Sequence, residues 1–353
     1  MRIVVVGATG NHGSSLVRRL ARDPGVDSIV GVARRDPSWS LDKVSWVTAD
    51  ISKPGVRLEP IFRGADAVVH LAWLIQPARD ERVTHATNVE GSSRVFEATA
   101  QAGVPALVYA SSVGAYSPGP KDRAVDESWP TGGVPSSYYS RHKAAAERML
   151  DSLEAAHPDL RVVRLRPGLV FKREAATQIR RLFVGPFLPR ALVRRALLPI
   201  LPVTDRLRFQ CVHSDDLAEA YRLAIVRPDA RGAYNIAAEP VLDGETLGAV
   251  LGARPVKVPA AALRAGAGAA FHGRLVPVSP DWLDMGLGVP IMDVSRAQRE
   301  LGWEPRRTAT EAFAELFDGL REGGDFTTPP LAAETSGPGR IREVLTGVGS
   351  TSR

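Results

Sequence analysis

Three side chains of this sequence carry a chemistry when taken together: Ser112, Tyr139 and Lys143. Tyr139 and Lys143 are four residues apart, so on a helix a phenol and an ammonium share one face. Phenol has an unperturbed pKa of about 10. An ammonium beside it favours phenolate and brings the tyrosine towards a value where it gives and takes protons at neutral pH. A serine hydroxyl at the same place hydrogen-bonds the carbonyl or alcohol whose proton moves. Tyr138 stands in the same relation to His142, so only Tyr139 is matched to the lysine. Tyr-x-x-x-Lys is common on ordinary helices and gains specificity here from what precedes it.

The first thirteen residues supply that context. Ile3 to Val6 are consecutive β-branched residues, as in a central parallel strand covered on both faces. Gly7, Gly10 and Gly13 follow, and then Leu16, Val17 and Leu20 recur at helical spacing. A strand, a glycine turn and a helix N-terminus make a pyrophosphate site, because missing Cβ atoms let the backbone approach while free N–H groups face the anion. Ser28 to Ala33 reads as a second strand. An NAD site places an acid at its end, but here Ala33 is followed by Arg34 and Arg35, which can pair with a 2′-phosphate or point into solvent. NADP(H) is therefore favoured over NAD(H).

A third strand, Val44 to Ala49, delivers Asp50 and Ile51, a carboxylate and an apolar side chain suited to an adenine. The fourth, Ala65 to Ala72, runs through His70 and Leu71 into a small-residue loop that lets a cofactor approach; His70 reads as strand-end packing more than as a base. Ala106 to Ala110 is the next strand and brings Ser111 and Ser112 to the carboxyl edge, where ligands of open parallel sheets collect. A loop from Gly114 to Pro135 is long enough to fold over a substrate. Ser136-Ser137 then caps a helix from Tyr138 to about Ala156.

Composition bounds the alternatives. The 353 residues, 44% hydrophobic and 24% charged, suffice for a sizeable core. There is no signal-peptide pattern and no apolar run of membrane-spanning length free of Arg or Pro, so a soluble cytoplasmic protein without stable membrane insertion is expected. Cys211 is the sole cysteine and the seven histidines show no metalloprotease spacing, which argues against a disulfide and against a metal. The net charge of +6 comes without a zinc finger or RNP-like aromatic run, so it reads as solvated surface with no nucleic acid.

With these residues in place the chain resembles the extended short-chain dehydrogenase/reductases, the NAD-dependent epimerase/dehydratase family. The resemblance is carried by Gly7-Ala-Thr-Gly-Asn-His-Gly13, Asp50-Ile51, His70-Leu-Ala72, Asn88, Ser111-Ser112, Tyr139-x-x-x-Lys143, Arg166-Pro-Gly-Leu-Val170, Val212-His-Ser-Asp-Asp216, Asp293-x-Ser295 and Leu301-Gly-Trp303. It implies an α/β fold: a Rossmann-type doubly wound parallel sheet with a smaller C-terminal α/β substrate domain. The expected division is 1–165 with returning segments at about 205–240 for the nucleotide domain, 166–204 and 241–322 for the smaller one, and 323–353 as a mobile tail. By resemblance Thr9, Asn11, His12, Leu71, Ala72, Asn88 and Pro167 join the cofactor set, Lys143 also holds the nicotinamide ribose, and Arg166-Pro167 begins a strand leading to the substrate.

The departures bear on substrate. Sugar-nucleotide members carry an Asn where Gly168 stands and an Arg where Phe209 stands, with Arg208 adjacent; the dehydratase acid pair is replaced by Val113-Gly114. The implied activity is a hydride transfer between nicotinamide and a secondary alcohol or ketone of a small or moderately apolar molecule. The alternatives are a nucleotide-sugar epimerase with bound NAD and a non-catalytic NADP-sensing protein. The partner is a small-molecule substrate, and a homodimer is allowed.

Between Arg161 and Arg208 eleven arginines and Lys172 face only Glu174 and Asp205. This stretch, interrupted by proline, reads as packed helices with Arg outside, as an apolar lid, or as a membrane-touching surface. Asp215-Asp216 read as N-terminal acids of a helix from Leu217, Tyr234 to Ala237 as a strand returning to the smaller domain, Asp293 to Leu301 as a capped helix, and Trp303 as core.

Overall fold

The computed structural model of the chain describes residues 1–75, 81–180, 200–273, 279–328 and 330–331. Its frame is a seven-stranded sheet in which every neighbouring pair is parallel. The first five strands in sequence are β1 (Arg2–Val6), β2 (Ser28–Ala33), β3 (Val44–Thr48), β4 (Ala67–His70) and β5 (Ala106–Ala110). From one edge the order is β3, β2, β1, β4, β5, then Arg161–Pro167 and Gly232–Ile236. The chain reverses direction of travel between β1 and β4, and ligands of open sheets bind at such a switch.

Consecutive residues of each strand point to opposite faces, and both faces are covered. Ile3 and Val5 pack with Leu16, Val17 and Leu20 of α1 (Asn11–Ala21) and with the helix Ser214–Val226. Val4 and Val6 pack with Phe62, Phe96, Tyr109 and Leu150 on the other side. This two-sided burial is why β1 reads as an unbroken apolar run.

A smaller three-stranded sheet joins Leu169–Phe171 and Phe209–His213 in parallel, with Ala238–Leu242 antiparallel. The helix Ala309–Glu322 packs on it through Phe313 against Phe171. Two sequence expectations are corrected here. Tyr234 to Ile236 belongs to the outer strand of the large sheet, parallel to Arg161–Pro167, rather than to a return into the smaller unit. Arg166-Pro167 ends its strand instead of beginning one.

Trp303 is fully buried and its indole N–H donates to the Asp216 carbonyl, 2.8 Å. Asp215 and Asp216 lie in the first turn of Ser214–Val226, but the cap itself is His213, whose Nδ1 accepts the Asp215 N–H. Asp293 accepts the Ser295 N–H, and the following turn, Ala297–Leu301, is π-helical.

In the first part of the stretch expected as a tail, Phe326 packs on Trp39, the Thr328 hydroxyl donates to the Thr9 carbonyl, and Leu331 is buried. Residues 332–353 lie outside the described residues, as does 181–199, the centre of the basic apolar stretch. Of its described arginines, Arg161 donates to the Ala224, Ile225 and Ala230 carbonyls, and Arg206 to the Leu287 carbonyl. Among the described residues no helix is long and apolar enough to cross a membrane.

Candidate active site

The glycine turn leaves β1 at the switch point. Gly7 has φ +90°, and a Cβ there would lie 2.5 Å from the Ala72 nitrogen. At Gly13 a Cβ would meet the Gly7 carbonyl oxygen at 2.3 Å, so the first turn of α1 rests directly on the loop. Gly10 is the helix N-cap and brings no side-chain acceptor, and no acid stands in the first turn. The leading N–H groups and the positive end of the helix dipole are thus left to an anion. Lys172 adds charge behind them, donating to the Asn11 carbonyl, Ser14 Oγ and Ser15 Oγ at 3.0, 2.7 and 3.3 Å. Burial pulls its pKa down to about 8, against the attraction of Glu174.

A cavity of about 150 Å³ opens beside this turn, lined among others by Gly7, Thr9, Gly10, Arg34, Arg35, Ile51, Leu71 and Ala72. Arg34 and Arg35 are exposed at its rim. Other expected cofactor residues stand outside the lining. Asp50 holds Ser52 through its backbone N–H and hydroxyl. The Asn11 amide donates to the Val170 carbonyl of the smaller sheet. Asn88 is buried and bonds both backbone groups of Leu74, so it orders the cavity wall from behind. His12 is driven to a pKa of about 3 by burial and by the charges of Lys143 and Lys172. Pro167 is buried at the end of its strand. A larger cleft of about 640 Å³ lies behind α1, and its charged walls pair with one another, as in Arg18–Glu174 and Arg19–Glu219.

The three candidate catalytic groups converge at the carboxyl edge of β5. Ser112 follows that strand in an extended conformation, and its Oγ accepts the Gly114 N–H at 3.0 Å. The helix Tyr138–Ala156 starts at Ser137, whose hydroxyl accepts the Ser140 N–H. It lays the Tyr139 ring against Gly114 of the turn that Ser112 opens, where a Cβ would meet the ring at 2.8 Å. Tyr138 faces away, edge-on to His142 at 5.8 Å. The Lys143 ammonium donates to the Ala110 carbonyl at 2.6 Å and the Tyr109 hydroxyl at 3.3 Å, 5.9 Å from the Tyr139 ring centre.

One electrostatic expectation is reversed. Burial pushes the Tyr139 pKa up to about 12, with the nearby Ser112 hydroxyl pulling the other way. Lys143 does not lower it, because burial holds the lysine itself well below its usual range despite the nearby Glu147. Desolvation disfavours both charges at once.

Sequence reasoning missed several neighbours. Trp73 lies edge-on to Tyr139 at 6.0 Å, and Trp282 is tilted against it at 5.2 Å. Glu147, 0% exposed, accepts from Ser111 Oγ at 2.5 Å and from the Arg166 fork at 2.9 and 3.0 Å. The signal for Glu147 was available: it is an acid one turn beyond Lys143 on the buried face of the same helix. His70 is walled in as expected, 2.9 Å from Ser92 Oγ. The loop after Ser112 is tied down by pairing of Ala124–Val125 with Ile291–Met292.

A family model described as "NAD dependent epimerase/dehydratase family" matches residues 3–237. Among curated relatives, an uncharacterized protein of Mycobacterium tuberculosis is 26% identical over 322 residues, covering 91% of this chain and 30% of that protein. The chain thus spans about a third of the length of the first relatives it matches. A 3-beta-hydroxysteroid dehydrogenase of Mycolicibacterium neoaurum is 26% identical, with 94% of this chain and 96% of that one covered. In fold, the chain is similar to MoeE5 in complex with UDP-glucuronic acid and NAD, at TM-score 0.65 and 23% identity, over 92% of this chain and 100% of that one.

Proposed function

The chain belongs to the NAD dependent epimerase/dehydratase family, and from that membership we propose that it is an NAD(P)(H)-dependent oxidoreductase interconverting a secondary alcohol and a ketone. The observation that carries this reading is the convergence of Ser112, Tyr139 and Lys143 at the sheet edge where the glycine turn also lies. Gly7, Thr9, Gly10, Asn11, His12 and Gly13 would hold the pyrophosphate. Arg34 and Arg35 would take a 2′-phosphate, which makes NADP(H) the preferred cofactor. Asp50 and Ile51 would face the adenine, Leu71, Ala72 and Asn88 the adjoining loop, and Lys143 and Pro167 the nicotinamide end. The space denied to side chains at Gly7 and Gly13 fits a backbone-bound anion.

When bound, the nicotinamide supplies or accepts hydride. The protein's own task is the proton. With its pKa near 12, Tyr139 is a neutral phenol at physiological pH, suited to donate to the oxygen of a ketone as that oxygen gains charge. Ser112 shares the same oxygen and orients it. The Lys143 amine, fixed on the Ala110 carbonyl, would hold the ribose and, when protonated, would favour the phenolate left on Tyr139 after the proton has moved.

Trp73, Val113, Trp282 and Met285 surround Tyr139 with apolar surface, which favours an apolar ketone or alcohol, and the similarity to a 3-beta-hydroxysteroid dehydrogenase supports the same class. A nucleotide-sugar epimerase with bound NAD is the second reading, supported by the fold likeness to MoeE5. Two features weigh against it. A Cβ at Gly168 would lie 2.4 Å from the Gln210 carbonyl oxygen, so the Asn of sugar-nucleotide members has no room. Arg208 is already engaged with the Lys121 carbonyl at 2.7 Å. A purely NADP-sensing role leaves the convergence of Ser112, Tyr139 and Lys143 without purpose.

The test is a panel of apolar ketones and alcohols followed at the nicotinamide absorbance. Tyr139→Phe should lower turnover by at least about 10²-fold, the loss typical of a positioned acid, while Tyr138→Phe retains it. Activity kept by Tyr139→Phe and lost in Tyr138→Phe would put the wrong tyrosine at the centre.

A further inference from the structure

The residues beyond the helix Ala309–Glu322 are mostly Gly, Pro, Thr and Asp, with Phe326 and Leu331 among them, and they run back across the glycine turn. Gly323, at φ +89°, ends the helix, and the Gly324 carbonyl accepts from both the N–H and the hydroxyl of Thr177 at 3.2 and 2.8 Å. Phe326 meets Trp39 edge-on at 5.1 Å and lies under the Arg18 guanidinium, 5.1 Å from the ring centre. Thr328 is 0% exposed and its hydroxyl donates to the Thr9 carbonyl at 2.9 Å. Leu331 closes a turn on this segment by donating to the Thr328 carbonyl. Pro330 stands in the wall of the cavity that Gly7, Gly10, Arg34 and Arg35 also line.

We propose that this segment is a clasp of the nucleotide cavity, in which Thr328 fixes the glycine turn through the Thr9 carbonyl and Pro330 walls the cavity beside Arg34 and Arg35. It rests on reading the cavity as the nicotinamide-nucleotide site. The mechanism is geometric. The Thr9 carbonyl and the Gly10 N–H belong to one planar peptide, and that N–H closes the turn on the Gly7 carbonyl at 3.3 Å, so a buried bond to the Thr9 carbonyl fixes the plane of the peptide at the centre of the glycine turn. Two further contacts hold the clasp from outside the cavity: Phe326 on Arg18 of α1, and Thr177 on Gly324. Thr328 is a positioning residue for binding and takes no part in the proton transfer.

The test uses the full chain and NADPH as the probe, titrated by nicotinamide fluorescence. Thr328→Val keeps the shape and leaves the Thr9 carbonyl without its donor; NADPH should bind about tenfold more weakly, with kcat at saturating NADPH within about twofold of wild type, so that the change falls on KM. Thr328→Ser returns the hydroxyl and should restore affinity. Equal affinity in wild type and Thr328→Val overturns the clasp and leaves the cofactor reading standing. An equal loss in the Ser and Val variants also overturns it, since packing and not the hydrogen bond would be responsible. Failure of wild type to bind either NADPH or NADH overturns the cofactor reading and the clasp with it.

Discussion

The Lys143 ammonium stands 3.5 Å from the centre of the Trp73 ring. A buried lysine is thereby capped by an indole face, at the point where the small-residue loop after β4 meets the helix that carries Tyr139. Two effects of that ring on the lysine oppose each other. The cation–π attraction favours the charged form; exclusion of water disfavours it. Burial wins, in agreement with the lowered lysine pKa. Trp73→Ala should therefore raise the Lys143 pKa, moving the alkaline limb of the turnover–pH profile upward, while Trp73→Phe leaves it near wild type. A downward move in the Ala variant would show the attraction to be the larger effect.

The cofactor preference rests on Ala33, Arg34 and Arg35. Wild type should bind NADPH more tightly than NADH, and Ala33→Asp combined with Arg34→Ser should reverse the order. Charge-assisted hydrogen bonds of about 1.5–3 kcal/mol correspond to a change of about ten- to a hundredfold. Fluorescence titration of both nucleotides measures it, and equal affinities in the wild type would remove the phosphate-clamp reading.

Glu147 supplies a pH dependence of stability. Burial pushes its pKa up, but the hydrogen bonds and charge of Arg166, with Arg164 and Ser111, bring it down to about 2 from an ordinary value near 4.5. A carboxylate depressed in the folded state contributes stability that is complete above the unfolded value and is lost as pH falls through the folded one. The Glu147 contribution should thus fade between about pH 4.5 and pH 2. Glu147→Gln leaves two buried guanidinium groups short of an acceptor and should cost about 3–5 kcal/mol at pH 7. Urea unfolding at pH 7 and pH 3 checks both statements: the gap between wild type and variant must narrow at the lower pH.

The three glycines of the turn are not equivalent. A Cβ at Gly10 would have 3.7 Å to its nearest neighbour, the Gly7 carbonyl oxygen, whereas at Gly13 it would have 2.3 Å to the same atom. Gly10→Ala should therefore leave the melting temperature close to wild type and weaken NADPH binding, because its methyl group enters the anion's place. Gly13→Ala should lower the melting temperature even without nucleotide. A variant at Gly10 that melts early but binds normally would invert the assignment.

The sequence alone determined the features that depend on local period and on strand ends. β1 was legible because a strand buried on both faces needs an unbroken apolar run, and Gly7 and Gly13 because no other residue fits where backbone touches backbone. The pairing of Tyr139 with Lys143, and the exclusion of Tyr138, followed from the 3.6-residue turn of a helix, and Ser112 from its place after β5. Tertiary structure decided what distance in the chain conceals. Thr328 meets Thr9 across 319 residues and Arg166 meets Glu147 across 19, contacts that no periodicity announces. The same holds for electrostatics. The sequence puts an ammonium near a phenol and suggests a lowered pKa, but the density of Trp73, Trp282 and the strand ends around them excludes water from both, and desolvation, which exists only in the folded packing, turns the shift of Tyr139 upward.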